Sequence, residues 1–197
     1  MAVNIPTNDP LKFSFGPGVL SIVGITAGGA KAVDEALDLV DVGAVRSGGT
    51  FNVTRTKLDV NQGSPITLVK QFVTAETASL TVNGLEWDLT QLNLALGAGV
   101  AQESSDPETY GFGGDLNIAD VAAKFVHVMP SGYTLTIRIW AAQGAGEMTV
   151  TFGDDLHEIP YSFNAINSGF EWSQTTGLLG PALATEQQLF RISLQKV

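Results

Sequence analysis

The chain has 197 residues, of which 44% are hydrophobic, so a sizeable buried core is expected rather than general disorder. Its 20 acidic and 10 basic side chains give a formal net charge of −10, which argues against a protein that binds nucleic acid through clustered Lys and Arg. The sequence contains no cysteine, which excludes disulfides, thiolate metal sites and a cysteine nucleophile.

The first 18 residues contain three prolines and two glycines, a composition typical of an extended arm that ends in a turn. They lack the basic and apolar regions of a signal peptide, and no apolar run reaches the roughly 18 residues needed to span a bilayer. We therefore expect a protein made in a cytoplasm, not exported by the general route and not in a membrane. Val19–Ile25 is predicted to be a short buried strand, and Ala30–Val40 a weak helix or a solvated loop.

Two long strands are predicted next. Thr50–Val60 begins with Phe51 and Val53 on one face, but its later apolar residues, Leu58 and Val60, have the opposite parity. The change of phase predicts a β-bulge near residues 55–57. After a turn at residues 61–65, Ile66–Thr74 is apolar on both parities, which predicts a strand that is either central or covered by another subunit.

The segment Thr77–Gly97 combines a strand with the only predicted helix. Ala78, Leu80 and Val82 alternate with Thr77, Ser79 and Thr81, and helical spacing then follows at Leu85, Leu89, Leu92 and Leu96. Asn83 and Glu86 fit a capping box, and Gly97 fits the glycine that follows a helix. The predicted helix covers about residues 84–97.

The second half of the chain again predicts strands and turns. Gly99–Asp115 is polar, acidic and glycine-rich, as expected of a surface loop. The remaining predicted strands cover residues 121–129, 133–142, 147–152 and 159–166, with a short strand or helical turn at 189–194. Eight or nine strands and one helix predict a mainly-β fold, a β-sandwich or barrel, formed by residues 1–197 as a single domain.

Few residues suggest chemistry. His157 lies in a cluster with Asp154, Asp155 and Glu158 that would suit a metal or acid–base site, although a solvated turn is the favoured interpretation. His127 lies within an apolar strand and is expected to be structural. The remaining acidic groups lack the spacing of a Ca²⁺ loop and are expected on exposed faces: Asp34, Glu35, Asp38, Asp106, Glu108 and Asp115. Neither a phosphate-binding glycine loop nor a G-x-S-x-G elbow occurs, so we predict no enzyme and no catalytic, cofactor-binding or metal-binding residue.

Two surface features remain. The three tryptophans, Trp87, Trp140 and Trp172, would suit a sugar-stacking platform, but packing in a core or a subunit interface is favoured. Several strands also pair an apolar face with one of short polar side chains: Thr50, Asn52 and Thr54; Thr77, Ser79 and Thr81; Thr134 and Thr136, with Arg138 on the same parity; Thr149 and Thr151. The edges of such long strands are expected to be paired, covered, or used to add strands between subunits.

Four segments, in this order and spacing, carry a resemblance to a known family. They are FGPGVLSIVG (Phe15–Gly24), DVGAVRSGGTFNVTR (Asp41–Arg55), SLTVNGLEWDLTQLNLALG (Ser79–Gly97) and DLHEIPYSFNAI (Asp155–Ile166). Through them the chain resembles the major tail tube proteins of long-tailed, siphovirus-like bacteriophages. The resemblance implies a structural virion protein of the tail, a β-sandwich flanked by one helix, which self-assembles into stacked hexameric rings around a channel for DNA delivery.

The resemblance also implies partners and surfaces. The partners would be other copies of the chain together with tape-measure, tail terminator and distal tail proteins, and DNA would pass through without specific binding. Residues 61–75 would form an inter-subunit loop or strand, and the N-terminal arm, residues 1–18, would contribute to ring stacking through Ala2–Phe15. The helix leucines would seal the outer side of the sheet, and Thr77, Ser79 and Thr81 are the candidates for the channel face.

Other functions remain open at this point. Tube proteins of contractile tails and of type VI secretion systems share the implied fold. A carbohydrate- or cell-surface-binding β-sandwich would use Trp140 and Trp172. A hydrolase would use His157 with Asp155 or Glu158.

Overall fold

A computed structural model describes residues 18–26, 29–102, 106–114 and 117–196, without the side chains of residues 47 and 48. Apart from Gly18, the predicted N-terminal arm and its contribution to stacking lie outside the described residues.

The described residues form ten strands and one α-helix, which confirms a mainly-β fold with one helix. In chain order the elements are β1 (Val19–Gly24), β2 (Val40–Asp41), β3 (Val45–Gln62), β4 (Thr67–Gly84), α1 (Leu89–Leu96), β5 (Val100–Gln102), β6 (Thr109–Gly111), β7 (Asp120–Val128), β8 (Tyr133–Gly144), β9 (Ile159–Ala165) and β10 (Phe190–Lys196). No helix in these ranges is long and apolar enough to cross a membrane.

Eight of the strands form one antiparallel sheet in the order β2-β1-β7-β8-β9-β4-β3. The eighth, β10, pairs with β8 over Tyr133–Ile139, whereas β9 pairs with the end of β8 at residues 142–144. The sheet therefore divides at β8 into two branches. It does not close into a barrel, so of the two predicted arrangements the barrel is wrong.

The two branches of the sheet face each other across the main core. The Phe51 ring of β3 contacts the Phe190 ring of β10 edge to face, with centroids 5.0 Å apart. Helix α1 covers the same core with Leu92 and Ala95. A side chain at Gly144 would collide with the backbone of Ala95, so glycine lets the helix lie directly on β8. The sandwich-like core thus depends on close contact between α1 and the sheet.

A second, smaller core covers the opposite face of β7 and β8. Its centre is a pair of fully buried indoles, Trp140 and Trp172, whose centroids are 5.3 Å apart. The Trp172 indole N–H donates to the Trp140 carbonyl at 2.9 Å, and that of Trp140 donates to the Gln187 carbonyl at 3.0 Å. This face of β8 also buries Thr136, so the polar residues of β8 do not form an open solvent-facing surface.

The helix begins later than predicted, so a helix over residues 84–97 is wrong at its N-terminus. Asn83 is paired with Pro160 in the β4–β9 ladder and donates to the Glu158 carboxylate at 2.8 Å. The N-cap is instead Asp88, whose carboxylate accepts from the Gln91 N–H at 2.8 Å. The predicted end of the helix is confirmed, because Gly97 adopts the left-handed conformation with φ 75°.

The leucines of the helical pattern differ in burial. Leu92 is buried in the main core, and Leu89 and Leu96 pack partly buried against it. Leu85 precedes the helix, where its backbone N–H donates to the Ala44 carbonyl at 2.8 Å. The apolar stripe is therefore one turn shorter than the sequence spacing indicates.

One predicted strand is wrong. Residues 147–152 form no ladder, although Met148 and Val150 pack partly buried against the main core. Ala145 continues the β8 edge with one hydrogen bond to the Ser162 carbonyl, and Gly146, with φ 71°, then turns the chain away. The predicted loop at Gly99–Asp115 instead contains the short β5–β6 hairpin.

The burial of Leu92 can be tested with Leu92→Asp, which places an unpaired charge in the main core. Loss of the packing and burial of the charge should lower the free energy of unfolding by about 3 kcal/mol or more. Thermal melting compared with Thr90→Asp, on the exposed side of the helix, checks this. Equal melting temperatures for the two variants would mean that Leu92 is not buried.

Candidate assembly interface

The β3–β4 hairpin extends well beyond the sheet. Both strands have 18 residues, but β4 pairs with β9 only from Ser79 to Gly84. All β4 residues from Thr67 to Thr77 are exposed, whereas Ala78, Leu80 and Val82 are buried. We call residues 55–76 the hairpin arm. Ten strand residues at about 3.3 Å each give it a length of roughly 30 Å.

The register of the arm places its side chains on two faces. The pairing slips between Thr56 and Lys57, at the predicted position, but the extra residue is Thr74 on β4, so the predicted bulge in β3 itself is wrong. Because β3 itself stays regular, Leu58 and Val60 lie on the face opposite to Phe51. We call the face that bears Leu58 the outer face, since the opposite face continues into the main core.

Apolar side chains on the arm are exposed to solvent. Leu58 and Phe72 are cross-strand partners on the outer face and are 58% and 47% exposed. The full set of large exposed apolar residues on the arm is Leu58, Val60, Ile66, Leu68, Val69, Phe72 and Val73. Seven on one projecting element make the arm a candidate surface for association, because isolated soluble proteins rarely expose large apolar patches.

The backbone edges of the arm are also open. β3 ends the strand order of the sheet, so its outer edge has no partner strand among the described residues. β4 has no partner on its β9 side before Ser79. Long exposed edges of this kind are templates for pairing with another chain. A single copy therefore leaves both apolar side chains and main-chain hydrogen-bonding groups of the arm unpartnered within the described structure.

Nearer the core, the outer face changes from apolar to polar. Cross-strand pairs here join Thr50 with Thr81, Asn52 with Ser79 and Thr54 with Thr77, and we call these six residues the polar ladder. The Thr81 and Ser162 hydroxyls are 2.6 Å apart, which extends the polar surface onto β9. The predicted alternation is confirmed, since Ala78, Leu80 and Val82 are buried on the other face.

The charges on the arm are mainly paired close to the core. Arg55 and Glu76 form an ion pair at 2.6 Å, and Gln71 donates to Asp59 at 2.8 Å. Farther out, the Lys70 ammonium lies 4.7 Å from the centre of the Phe72 ring. Lys57 and Lys70 form no ion pair with a described residue. Together with Asp59 they give the arm beyond Arg55 and Glu76 a net charge of +1 beside its apolar side chains.

The histidine cluster is not arranged for acid–base or metal chemistry. The His157 ring packs edge to face against the Phe152 ring, with the ring centroids 4.9 Å apart. Arg46 lies 3.1 Å from Asp155 and 3.6 Å from Glu158, so these carboxylates point to a guanidinium. A backbone N–H from Leu156 and the Arg46 charge lower the pKa of Asp155. Within the described ranges, no group of three or more His, Asp and Glu could hold a metal ion.

Glu35 is not on an exposed face, so this prediction is wrong. Its carboxylate accepts from Gln174 at 2.6 Å and forms ion pairs with Arg138 at 2.8 Å and Lys124 at 3.2 Å. Its side chain is only 12% exposed. Burial would raise the pKa of Glu35, but the hydrogen bonds and positive charges of its partners outweigh it and lower the pKa. Sequence spacing gives no signal for this cluster, because its members come from four separate segments.

The other candidate residues do not converge on one site. Trp140 and Trp172 are fully buried, so they cannot form a sugar-binding platform, while Trp87 is half exposed. His127 is buried within β7. Asp106 and Glu108 are exposed beside the β5–β6 hairpin, and Asp115 lies outside the described residues.

No protein-family model matches the chain, and no curated protein matches it significantly.

The Glu35 cluster predicts a pH-dependent stability. Because the pKa of Glu35 is lowered in the folded protein, its stabilisation is present above the ordinary value of 4.5 and is lost as pH falls through the folded value. Glu35→Gln should lower the free energy of unfolding at neutral pH by about 1.5–3 kcal/mol, as for a lost hydrogen bond to a charged group. Denaturant unfolding across acid and neutral pH measures this.

In that titration, the difference from the unsubstituted protein should shrink as the pH falls from 4.5 through the lowered pKa of folded Glu35, because the carboxyl group then becomes neutral, as the amide of the variant always is. The exposed acid Glu108, changed to Gln, is the matched control and should have little effect at any pH. A constant destabilisation by Glu35→Gln at every pH would show that the carboxylate charge does not matter.

Proposed function

We propose that the protein is a structural subunit that self-assembles through its hairpin arm into a tube, the tail tube of a long-tailed bacteriophage. The observation that carries this proposal is the arm itself: roughly 30 Å of β-hairpin with exposed apolar side chains on it and open strand edges on both sides.

The energetics of the arm favour a multivalent assembly over a simple pair. Seven apolar side chains, between 39% and 78% exposed, would each contribute about 1 kcal/mol on burial, a total on the order of 7 kcal/mol. Association of two molecules costs about 4–15 kcal/mol in lost freedom. One arm contact is therefore marginal alone, whereas a ring or stack in which each copy makes several contacts is stable, because the later contacts are intramolecular.

The polar ladder suits a channel wall. Its hydroxyl and amide groups are hydrated but uncharged, so phosphates passing near them would meet no attraction. The net charge of −10 likewise disfavours DNA binding. In this proposal the polar ladder, including Thr77, Ser79 and Thr81, faces the lumen, and DNA moves through it without being held.

The resemblance in sequence supplies the remainder of the proposal. By that resemblance the rings contain six copies, the tube is part of the virion and is assembled in the host cytoplasm. Tape-measure, tail terminator and distal tail proteins are its partners. Tube subunits of contractile tails and of type VI secretion systems are the alternative within the same structural class. No contact in the described structure favours the carbohydrate-binding or hydrolase functions, given the burial of Trp140 and Trp172 and the ion pairs of Asp155 and Glu158 with Arg46.

The proposal is tested with the double variant Leu58→Ser/Phe72→Ser. Both side chains are on the outer face of the arm and about half exposed, so the isolated subunit should fold and melt as before. Loss of the apolar pair should abolish rings and tubes that the unsubstituted protein forms at high concentration. Sedimentation velocity and negative-stain electron microscopy report the assembly.

The control is Leu178→Ser/Leu179→Ser, which removes two leucines of similar exposure from the loop between β9 and β10. This variant should assemble normally. An unsubstituted protein that stays monomeric at every concentration and with tail partners added would refute the proposed function, and normal tubes from the arm variant would refute the role of the arm.

A further inference from the structure

We infer that the hairpin arm of one copy docks on the segment 147–158 of the next copy, at the opposite end of the same two long strands. The inference rests on the proposed function and adds the acceptor surface, which the proposed function leaves undefined. Its basis is that the two surfaces are complementary in charge, both expose apolar groups, and lie too far apart to meet within one chain.

The acceptor is acidic and apolar. Residues 147–158 contain four acidic side chains and no Lys or Arg. Two large apolar residues in it, Phe152 and Leu156, are 71% and 63% exposed. Arg46 forms ion pairs with Asp155 and Glu158 and so neutralises part of the negative charge of the segment. Glu147 and Asp154 are exposed and form no ion pair with a described residue, so the segment keeps an excess of negative charge beside its apolar groups.

The arm has the matching character. Of the 10 basic side chains in the chain, three lie in residues 55–76. Arg55 is paired with Glu76, which leaves Lys57, Lys70 and Asp59, so the arm beyond that ion pair carries one excess positive charge. Lys70 lies across from Val60 and over the Phe72 ring, so a cation and apolar side chains share the outer face. This is the chemistry that an acidic, apolar acceptor would recognise.

The topology separates the two surfaces. Gly84, the last residue of β4, pairs with Ile159, which directly follows the acceptor, and Arg46 near the start of β3 contacts Asp155. The acceptor therefore lies at the core end of the hairpin. Phe72 is twelve residues away along β4, or about 40 Å. Because β4 is a continuous strand, the arm cannot fold back onto its own acceptor.

A contact between these two different surfaces is heterologous, so it leaves a free arm and a free acceptor on the pair. Each added copy repeats the contact in the same direction, which produces an open stack along the strand direction. A face-to-face dimer would not have this property. The docking mode thus gives growth in one direction, which the stacking of rings into a tube requires, from the position of two surfaces on one chain.

Charge reversal tests the pairing. The arm variant is Lys57→Glu/Lys70→Glu, and the acceptor variant is Glu147→Lys/Asp154→Lys. Each should raise the protein concentration needed for assembly by about tenfold at low salt, since two weak ion pairs are replaced by repulsion. The combined variant carries both reversals and should return to within about twofold of the unsubstituted protein. High salt should reduce all of these differences, because exposed charges are screened.

The control reverses two exposed acids elsewhere, Asp106→Lys/Glu108→Lys, and should assemble as the unsubstituted protein does. Circular dichroism checks folding. If a reversal unfolds the chain, the neutral variants Lys70→Gln and Asp154→Asn take its place, and each should raise the concentration needed for assembly by a smaller factor. Assembly restored in the combined variant supports the inference. The inference is overturned if the combined variant does not regain assembly, or if the arm variant and the acceptor variant each assemble normally.

These results are separable from failure of the proposed function. If Leu58→Ser/Phe72→Ser abolishes assembly while the charge reversals leave it unchanged, the arm mediates assembly but the acceptor is not residues 147–158. If the unsubstituted protein forms no particles at all, the proposed function fails and this inference fails with it.

Discussion

The structure is dominated by a strand pair that is longer than its own sheet. β4 is anchored by Leu80 and Val82 in the main core and continues without interruption into the arm, where β9 no longer accompanies it. Apolar groups and open strand edges beyond that point cannot be buried by the described part of the same chain. Exposed edges and apolar patches favour association, so this gap in the described structure supports the proposal that another copy covers the arm.

The remainder of the fold fixes the direction of the arm. The main core, closed by α1 and Gly144, holds the β3–β4 base against the opposite branch of the sheet through the Phe51–Phe190 contact. The indole pair and the Glu35 cluster then cover the other face of β7 and β8. A sheet buried on both faces near its centre provides a rigid base, so the arm and the segment 147–158 keep fixed positions at opposite ends.

Sequence patterns predicted those features that depend on local periodicity. The buried face of β4 and the terminal Gly97 both follow from neighbouring residues. The predicted start of α1 at Asn83 is wrong because Asn83 pairs with Pro160 in the β4–β9 ladder, a contact between distant segments, and Asp88 caps the helix instead. The Glu35 cluster depends on contacts between distant segments, so periodicity carries no information about it. The apolar pattern of Ile66–Thr74 left open whether that strand is central or covered by another subunit, because strand pairing alone decides this.

The central claim is that assembly covers the arm, and amide hydrogen exchange measures this most directly. In dilute protein the unpaired edge amides of residues 55–76 should exchange fast, while those of the core strands β7 and β8 are protected. At concentrations that give particles, the arm amides should become protected as strongly as the core and those of the β5–β6 hairpin should change little. Assembled particles in which the arm still exchanges fast would contradict the claim.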